Sequence, residues 1–247
     1  MEGPGSSSEP HSGPPGRDRI DMNEAVEAFT VMLIVANGIF SFRGFSNRLF
    51  LERYLFHVGS ILGRREYYRL LTSGFLHANI PHLAFNMLAL YSFSQGIGRV
   101  VGIIDFVLIY FGSLIVGNLL ALQIHRNNPE YRALGASGAV SGVIFSSILM
   151  YPHGSIAFIF FPIGIPSWLF GIGFILISIY GIRTGLGNLG HEAHLGGAIA
   201  GVIISIVLEP RLLNARLWLV LALIVPAAGY LYILVKRPDL AGRRRRK

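Results

Sequence analysis

The chain has 247 residues, 52% of them hydrophobic and only 14% charged, with a mean hydropathy of +0.55 and a net charge of +8. A water-soluble domain carries about 25% charge, so lipid is the main solvent of this chain and an ordinary soluble fold is excluded. There is no cysteine, which excludes disulfides and thiolate metal sites. The cations are scattered through loops and a tail, so nucleic acid is not an expected partner.

Residues 1–24 open with a Gly-, Pro- and Ser-rich stretch that could bury no core, and they are expected to form a disordered tail. The first apolar segment runs from Val26 to Phe42. A long loop, Arg43 to Asn79, then carries Arg48, Glu52, Arg53, Arg64, Arg65, Glu66 and Arg69 among apolar clusters, and short amphipathic helices at the membrane interface are expected there. Six further apolar segments follow, near His82–Gly98, Ile103–Ile124, Ala136–Tyr151, Pro166–Ile182, His194–Leu208 and Leu217–Val235. A span needs about 20 residues, and only helices or closed barrels satisfy the backbone in lipid. The predicted fold is therefore an all-α polytopic membrane bundle. Residues 156–166, with two prolines, read as a partly buried connection too broken to span. Pro226 leaves open a re-entrant hairpin for the last segment. The closing run Arg243 to Lys247 reads as a solvated or headgroup-binding tail.

Four polar groups lie where a lipid-facing helix should have none: His82, Asn86, Ser137 and His194. Such groups face a bundle interior or a water-filled cavity. Ser137 and His194 each open a segment of about 15 residues, or roughly 22 Å against a hydrocarbon layer of about 30 Å. The two segments run in the same direction, so both residues sit on one side at similar depth, roughly 10 Å in. A serine and a histidine placed together form an activated nucleophile. Small residues, Gly138 with its neighbours and the pair Gly197 and Gly201, let the two segments approach closely. His82 and Asn86 are four apart and share a helix face, and both can donate to an oxyanion. No acidic residue is placed to complete a triad: Asp105 starts a helix on the opposite side, and Glu192 is expected in a loop. His191 and His194 are three apart, against four in the metalloprotease pattern, so no metal is expected.

The ordered set His77-Ala-Asn-Ile-Pro-His82-x-x-x-Asn86, Gly135-Ala-Ser137-Gly138 and Ala193-His194-Leu-Gly-Gly197-x-x-x-Gly201 resembles the rhomboid family of intramembrane proteases. Tyr68-Arg69 is similar to the family's Trp-Arg motif. The resemblance implies a six-helix catalytic core over 25–210, an additional helix over 211–236 and a basic tail over 237–247. It implies Ser137 as nucleophile and His194 as base, with His82, Asn86 and the Ser137 amide at the oxyanion. Implied substrates are single-span membrane proteins, with no cofactor, in the inner (plasma) membrane; the oligomeric state stays open. The rivals are an inactive rhomboid-like protein that binds clients and a small transporter. The resemblance also implies a cytoplasmic N-terminus with the site opening on the other side, although the basic loop and tail argue the reverse by the positive-inside rule. Many relatives carry an aromatic residue one turn after the nucleophile, against the histidine; here that position is Ser141.

Overall fold

The computed structural model describes residues 17–158, 161–184, 190–237 and 240. Five helices among these are long and apolar enough to cross a membrane: α1 (Arg17–Ser46, its apolar part Met22–Ser46), α6 (Ile103–Ile124), α8 (Ser167–Thr184), α9 (His191–Leu208) and α11 (Leu217–Lys236). Between them lie α5 (Ile80–Ile97), less apolar, and α7 (Ser137–Met150), shorter. The seven apolar segments of the sequence are thus seven helices. The outer ones carry large apolar side chains on open surface, such as Ile39 of α1 and Ile177 of α8, both at 63% exposure, as lipid-facing helices must.

The helix α7 is the centre of the bundle. Every residue from Gly138 to Met150 except Ser147 is buried, among α5, α6, α8 and α9. That explains its length: a helix walled by protein need not match the hydrocarbon layer. The loop after α1 folds into α2 (Arg48–Tyr54), α3 (Val58–Arg64) and α4 (Arg69–Thr72), followed by a 3-10 turn at Ser73–Phe75. A short strand β1 (Phe56–His57) pairs antiparallel with β2 (Arg132–Ala133), tying this loop to the one before α7. Arg69, only 4% exposed, holds the loop together: it donates to Glu66 at 2.6 Å and to the carbonyls of Glu52 and Leu55 at 2.9 and 2.7 Å. The Arg69 guanidinium bonded to Glu66 holds that carboxyl below its ordinary range, and burial, with Arg132 nearby, pushes His57 down.

Two expectations need correction, the reach of the N-terminal tail and the place of Glu192, and two readings gain detail, the connection over 156–166 and the last helix. The tail expected to reach residue 24 gives way to helix from Arg17, because extending an established helix adds one hydrogen bond per residue fixed; residues 1–16 lie outside the described residues, as do 241–247 of the basic tail. The connection over 156–166 is a hairpin, β3 (Ser155–Phe158) against β4 (Phe161–Pro166). Proline is tolerated there because a two-stranded sheet has only edges. The helix α11 continues through Pro226, so the re-entrant alternative falls. Glu192 is helical, in the first turn of α9, where a carboxylate suits the positive end of the helix dipole; α10 (Arg211–Ala215) joins α9 to α11.

Candidate functional site

The chain alternates direction through the seven spans, so α1 ends, α5 begins, α6 ends, and α7 and α9 begin on one side of the bundle. The site lies there. Ser137 starts α7, while His194 sits one turn into α9, three residues later than the sequence suggests. The Ser137 Oγ lies 2.7 Å from His194 Nε2.

This approach is built from glycine. A Cβ on Gly197 would run into the Gly138 carbonyl, and one on Gly201 into the Gly142 carbonyl. Beside the same seam, a Cβ on Gly117 of α6 would stand 2.6 Å from the Ala193 carbonyl oxygen. Ser146 closes the α7–α9 seam by donating to the Gly201 carbonyl at 3.1 Å. Backbones this close leave room for the short Ser–His contact and little else. Gly138, Gly197 and Gly201 all lie in this seam, as the small-residue pattern suggests.

The turn before Ser137 is fixed from three directions. Gly135 takes φ +133°, a conformation that excludes most side chains, and its N–H donates to the Ser73 carbonyl at 3.0 Å. The Ala136 N–H donates to His77 Nε2 at 3.4 Å. Since that nitrogen accepts, His77 carries its proton on Nδ1 and donates to Ser41 Oγ at 2.9 Å, and Ser41 donates onward to the Phe75 carbonyl at 3.1 Å. His77 therefore organises the turn before Ser137. Asn118, in mid α6, holds the same region by donating to the Leu70 carbonyl at 2.7 Å and to Ser73 Oγ at 3.2 Å.

His82 enters α5 behind the Asn79 cap, whose side chain accepts from the His82 N–H at 2.9 Å. The ring packs edge-on against His77, with centroids 5.0 Å apart. Its Nδ1 accepts from the Ala78 N–H at 3.4 Å, which assigns the proton to Nε2. That edge of the ring faces Gly135: a Cβ there would be 3.0 Å from Nε2 and 3.6 Å from Ser137 Oγ. Asn86, buried one turn on, donates one amide hydrogen to the His82 carbonyl at 2.9 Å; a primary amide has a second hydrogen.

No aromatic ring stands at Ser141, which is buried within α7. The ring beside His194 is Phe174 of α8, at 6.1 Å and 41° between planes, and His191 lies at 5.4 Å, edge-on. Glu192 turns away from His194 and its Oε1 meets His125 Nε2 at 3.1 Å. No cluster of three or more His, Cys, Asp or Glu that could hold a metal occurs among the described residues.

Residues 64–211, more than half of the chain, match the family model of the Rhomboid domain. The chain belongs to the rhomboid family. It is 33% identical to Rhomboid protein 1, mitochondrial, of Saccharomyces cerevisiae over 134 residues, 53% of this chain and 39% of the relative. It is 30% identical to RHOMBOID-like protein 12, mitochondrial, of Arabidopsis thaliana over 188 residues, 69% and 55% of the two chains. Rhomboid protease GluP of Bacillus subtilis is 33% identical over 187 residues, 73% of this chain and 34% of the relative. The matched part of the chain thus spans between about a third and just over half of these rhomboid proteins' lengths. The apolar helices make this rhomboid an integral membrane protein. The plasma membrane expected from the sequence is not supported by the yeast and Arabidopsis relatives, which are mitochondrial by name.

Proposed function

We propose that this rhomboid is an intramembrane serine endopeptidase working through a Ser137–His194 dyad. The reading is carried by the 2.7 Å contact between Ser137 Oγ and His194 Nε2. At that distance the imidazole can take the hydroxyl proton as the oxygen attacks a scissile carbonyl. The tetrahedral oxyanion would form on the side of His82, whose Nε2–H points toward Gly135 and the nucleophile, and of the Ser137 N–H, which as the first of α7 has no helical partner. Collapse of the intermediate breaks the C–N bond, and His194 returns its proton to the leaving amine. Water, deprotonated by the same imidazole, then releases the acyl group and restores the serine. Each step uses one proton, passed through His194, so no metal or cofactor enters. The half-buried site within a helical bundle favours substrates presented as membrane-spanning segments, and the name of the Bacillus relative, a rhomboid protease, agrees with this activity.

The test is covalent. A fluorophosphonate probe labels Ser137 in the wild type, fails on Ser137→Ala, and labels His194→Ala weakly, because an unassisted hydroxyl is a poor nucleophile. In parallel, a panel of tagged single-span proteins is cleaved by the wild type and left intact by Ser137→Ala. Equal labelling of wild type and Ser137→Ala ends the reading in favour of an inactive client binder.

A further inference from the structure

Glu192 is a carboxylate in the first turn of α9, and with its partner it lies almost out of solvent. Its side chain is 8% exposed and that of His125, at the end of α6, is 11% exposed; they meet at 3.1 Å. The His125 ring in turn lies flat on Tyr131, with centroids 3.6 Å apart and planes at 7°. Tyr131 belongs to the loop that leads to Ser137. It packs edge-on against Phe56 at 6.0 Å, and its carbonyl accepts from the Val58 N–H at 3.2 Å. The Tyr131 hydroxyl also faces Gly190, the residue before α9, at 3.7 Å from where a Cβ would be. Burial, with the Glu192 carboxylate nearby, pushes the Tyr131 phenol up, so the ring stays neutral. The chain of contacts runs from the turn that carries His194, through His125, to the loop that delivers Ser137.

We infer that Glu192, His125 and Tyr131 form a clamp that positions the dyad, by fixing the start of α9 relative to the loop before α7. None of the three touches the reacting atoms; they are positioning residues. The seam of glycines sets how close α7 and α9 come, and the Ser146 bond to the Gly201 carbonyl ties it about two turns beyond His194, so the start of α9 needs a tie of its own against sliding and rotation. A directional hydrogen bond and a stacked ring oppose both. The geometry also predicts an asymmetry. Removing His125 leaves a buried carboxylate without its donor, which is worse than removing the carboxylate.

This inference rests on the protease reading, and the experiment separates the two. Full-length protein in liposomes is assayed for the rate of fluorophosphonate labelling at Ser137, for kcat and KM on a single-span reporter, and for thermal stability. Displacing His194 by a fraction of an ångström to 1 Å lowers labelling and kcat of Glu192→Ala and His125→Ala by about 10- to 100-fold, with KM within about 2-fold. Glu192→Gln and His125→Gln retain a hydrogen-bonding pair and recover to within about 3-fold of wild type. The Glu192→Ala, His125→Ala double variant labels no more slowly than His125→Ala. Should an alanine variant fail to fold, Tyr131→Leu, which removes the stack without burying a charge, carries the same expectation of slowed labelling. Variants that melt earlier but label and turn over at the wild-type rate per folded molecule overturn the clamp and leave the protease reading standing. A KM rise at unchanged kcat overturns it as well. A wild type that takes no label removes both.

Discussion

Replacing Gly197 by alanine adds a single methyl group where α9 meets α7, and its consequences can be worked from the backbone. The new Cβ would lie 2.8 Å from the Gly138 carbonyl carbon and 3.0 Å from its Cα, with the carbonyl oxygen nearer still. Carbon atoms sit comfortably at about 3.5 Å, so the carbonyl carbon alone asks for about 0.7 Å of separation and the oxygen asks for more. Backbone is what must move, because no flexible side chain stands in the way. The Ser137–His194 contact at 2.7 Å then opens by a comparable amount. A misplacement of about 1 Å lowers turnover by about 100-fold, or about 2.7 kcal/mol in the barrier, and overpacking removes about 1–3 kcal/mol of stability. Cleavage of a tagged single-span reporter, measured with thermal melting in the same liposomes, reads both. Gly229→Ala on α11 is the matched control, since nothing lies within 4 Å of its Cβ. Gly197→Ala cleaving at the wild-type rate would refute the reasoning, for it would mean that the seam is not what sets the distance between the dyad residues.

Asn86→Ala is expected to lower turnover by about 10- to 100-fold with little change in apparent binding if the second amide hydrogen serves the oxyanion; a large stability loss at unchanged turnover would make it a strut for the His82 carbonyl alone. Gly135→Ala, at φ +133° and 2.8 Å from His82 Cε1, should lower both stability and labelling, whereas wild-type behaviour would show that the turn is free to rearrange. The loop carrying Glu66 and His57 should loosen in acid. Both groups have folded pKa values below their unfolded ones, so their stabilisation is present above the unfolded values and lost as pH falls through the folded ones. Limited proteolysis of the 47–69 loop with an acid-active protease from pH 7 down to about 3 reads this, the His57 part falling first and the Glu66 part only below its ordinary carboxylate range, and Glu66→Gln should blunt the latter; a loop equally resistant at both ends would count against it. Arg64→Cys, in a chain with no other cysteine, should be labelled from the side of the membrane on which the site opens, opposite the side that labels Arg99→Cys in the turn between α5 and α6; labelling of both from one side would overturn this topology.

The spans were readable because apolar length is a coarse signal, and lipid leaves helices as the form for such segments. The pairing of Ser137 with His194 was readable for a subtler reason: two segments that run the same way bring their early polar residues to one side of the bundle, although α9 begins one turn before His194. The organisers were harder to see. Asn118 and Ser41 are polar groups inside apolar helices and could have been flagged on that ground alone, but their partners, Leu70 and His77, are 48 and 36 residues away. Glu192 looked like a loop residue because a charge beside a membrane helix is assumed to seek water; the distant His125 is what makes its burial possible. The ring against His194 could not be found on α7 because it arrives from α8. The hairpin over 155–166 was concealed by its own composition, since a short apolar run has no period that separates strand from buried helix.

Because α7 is walled by protein from Gly138 to Met150, hydrophobic mismatch has almost nothing to grip on it. A thicker or thinner bilayer can tilt the outer helices or be deformed by them. The depth of Ser137 is instead set from inside, by α5, α6 and α9. The protein thus carries its own ruler, and the plane in which a substrate would be cut is fixed relative to the bundle, whatever membrane surrounds it.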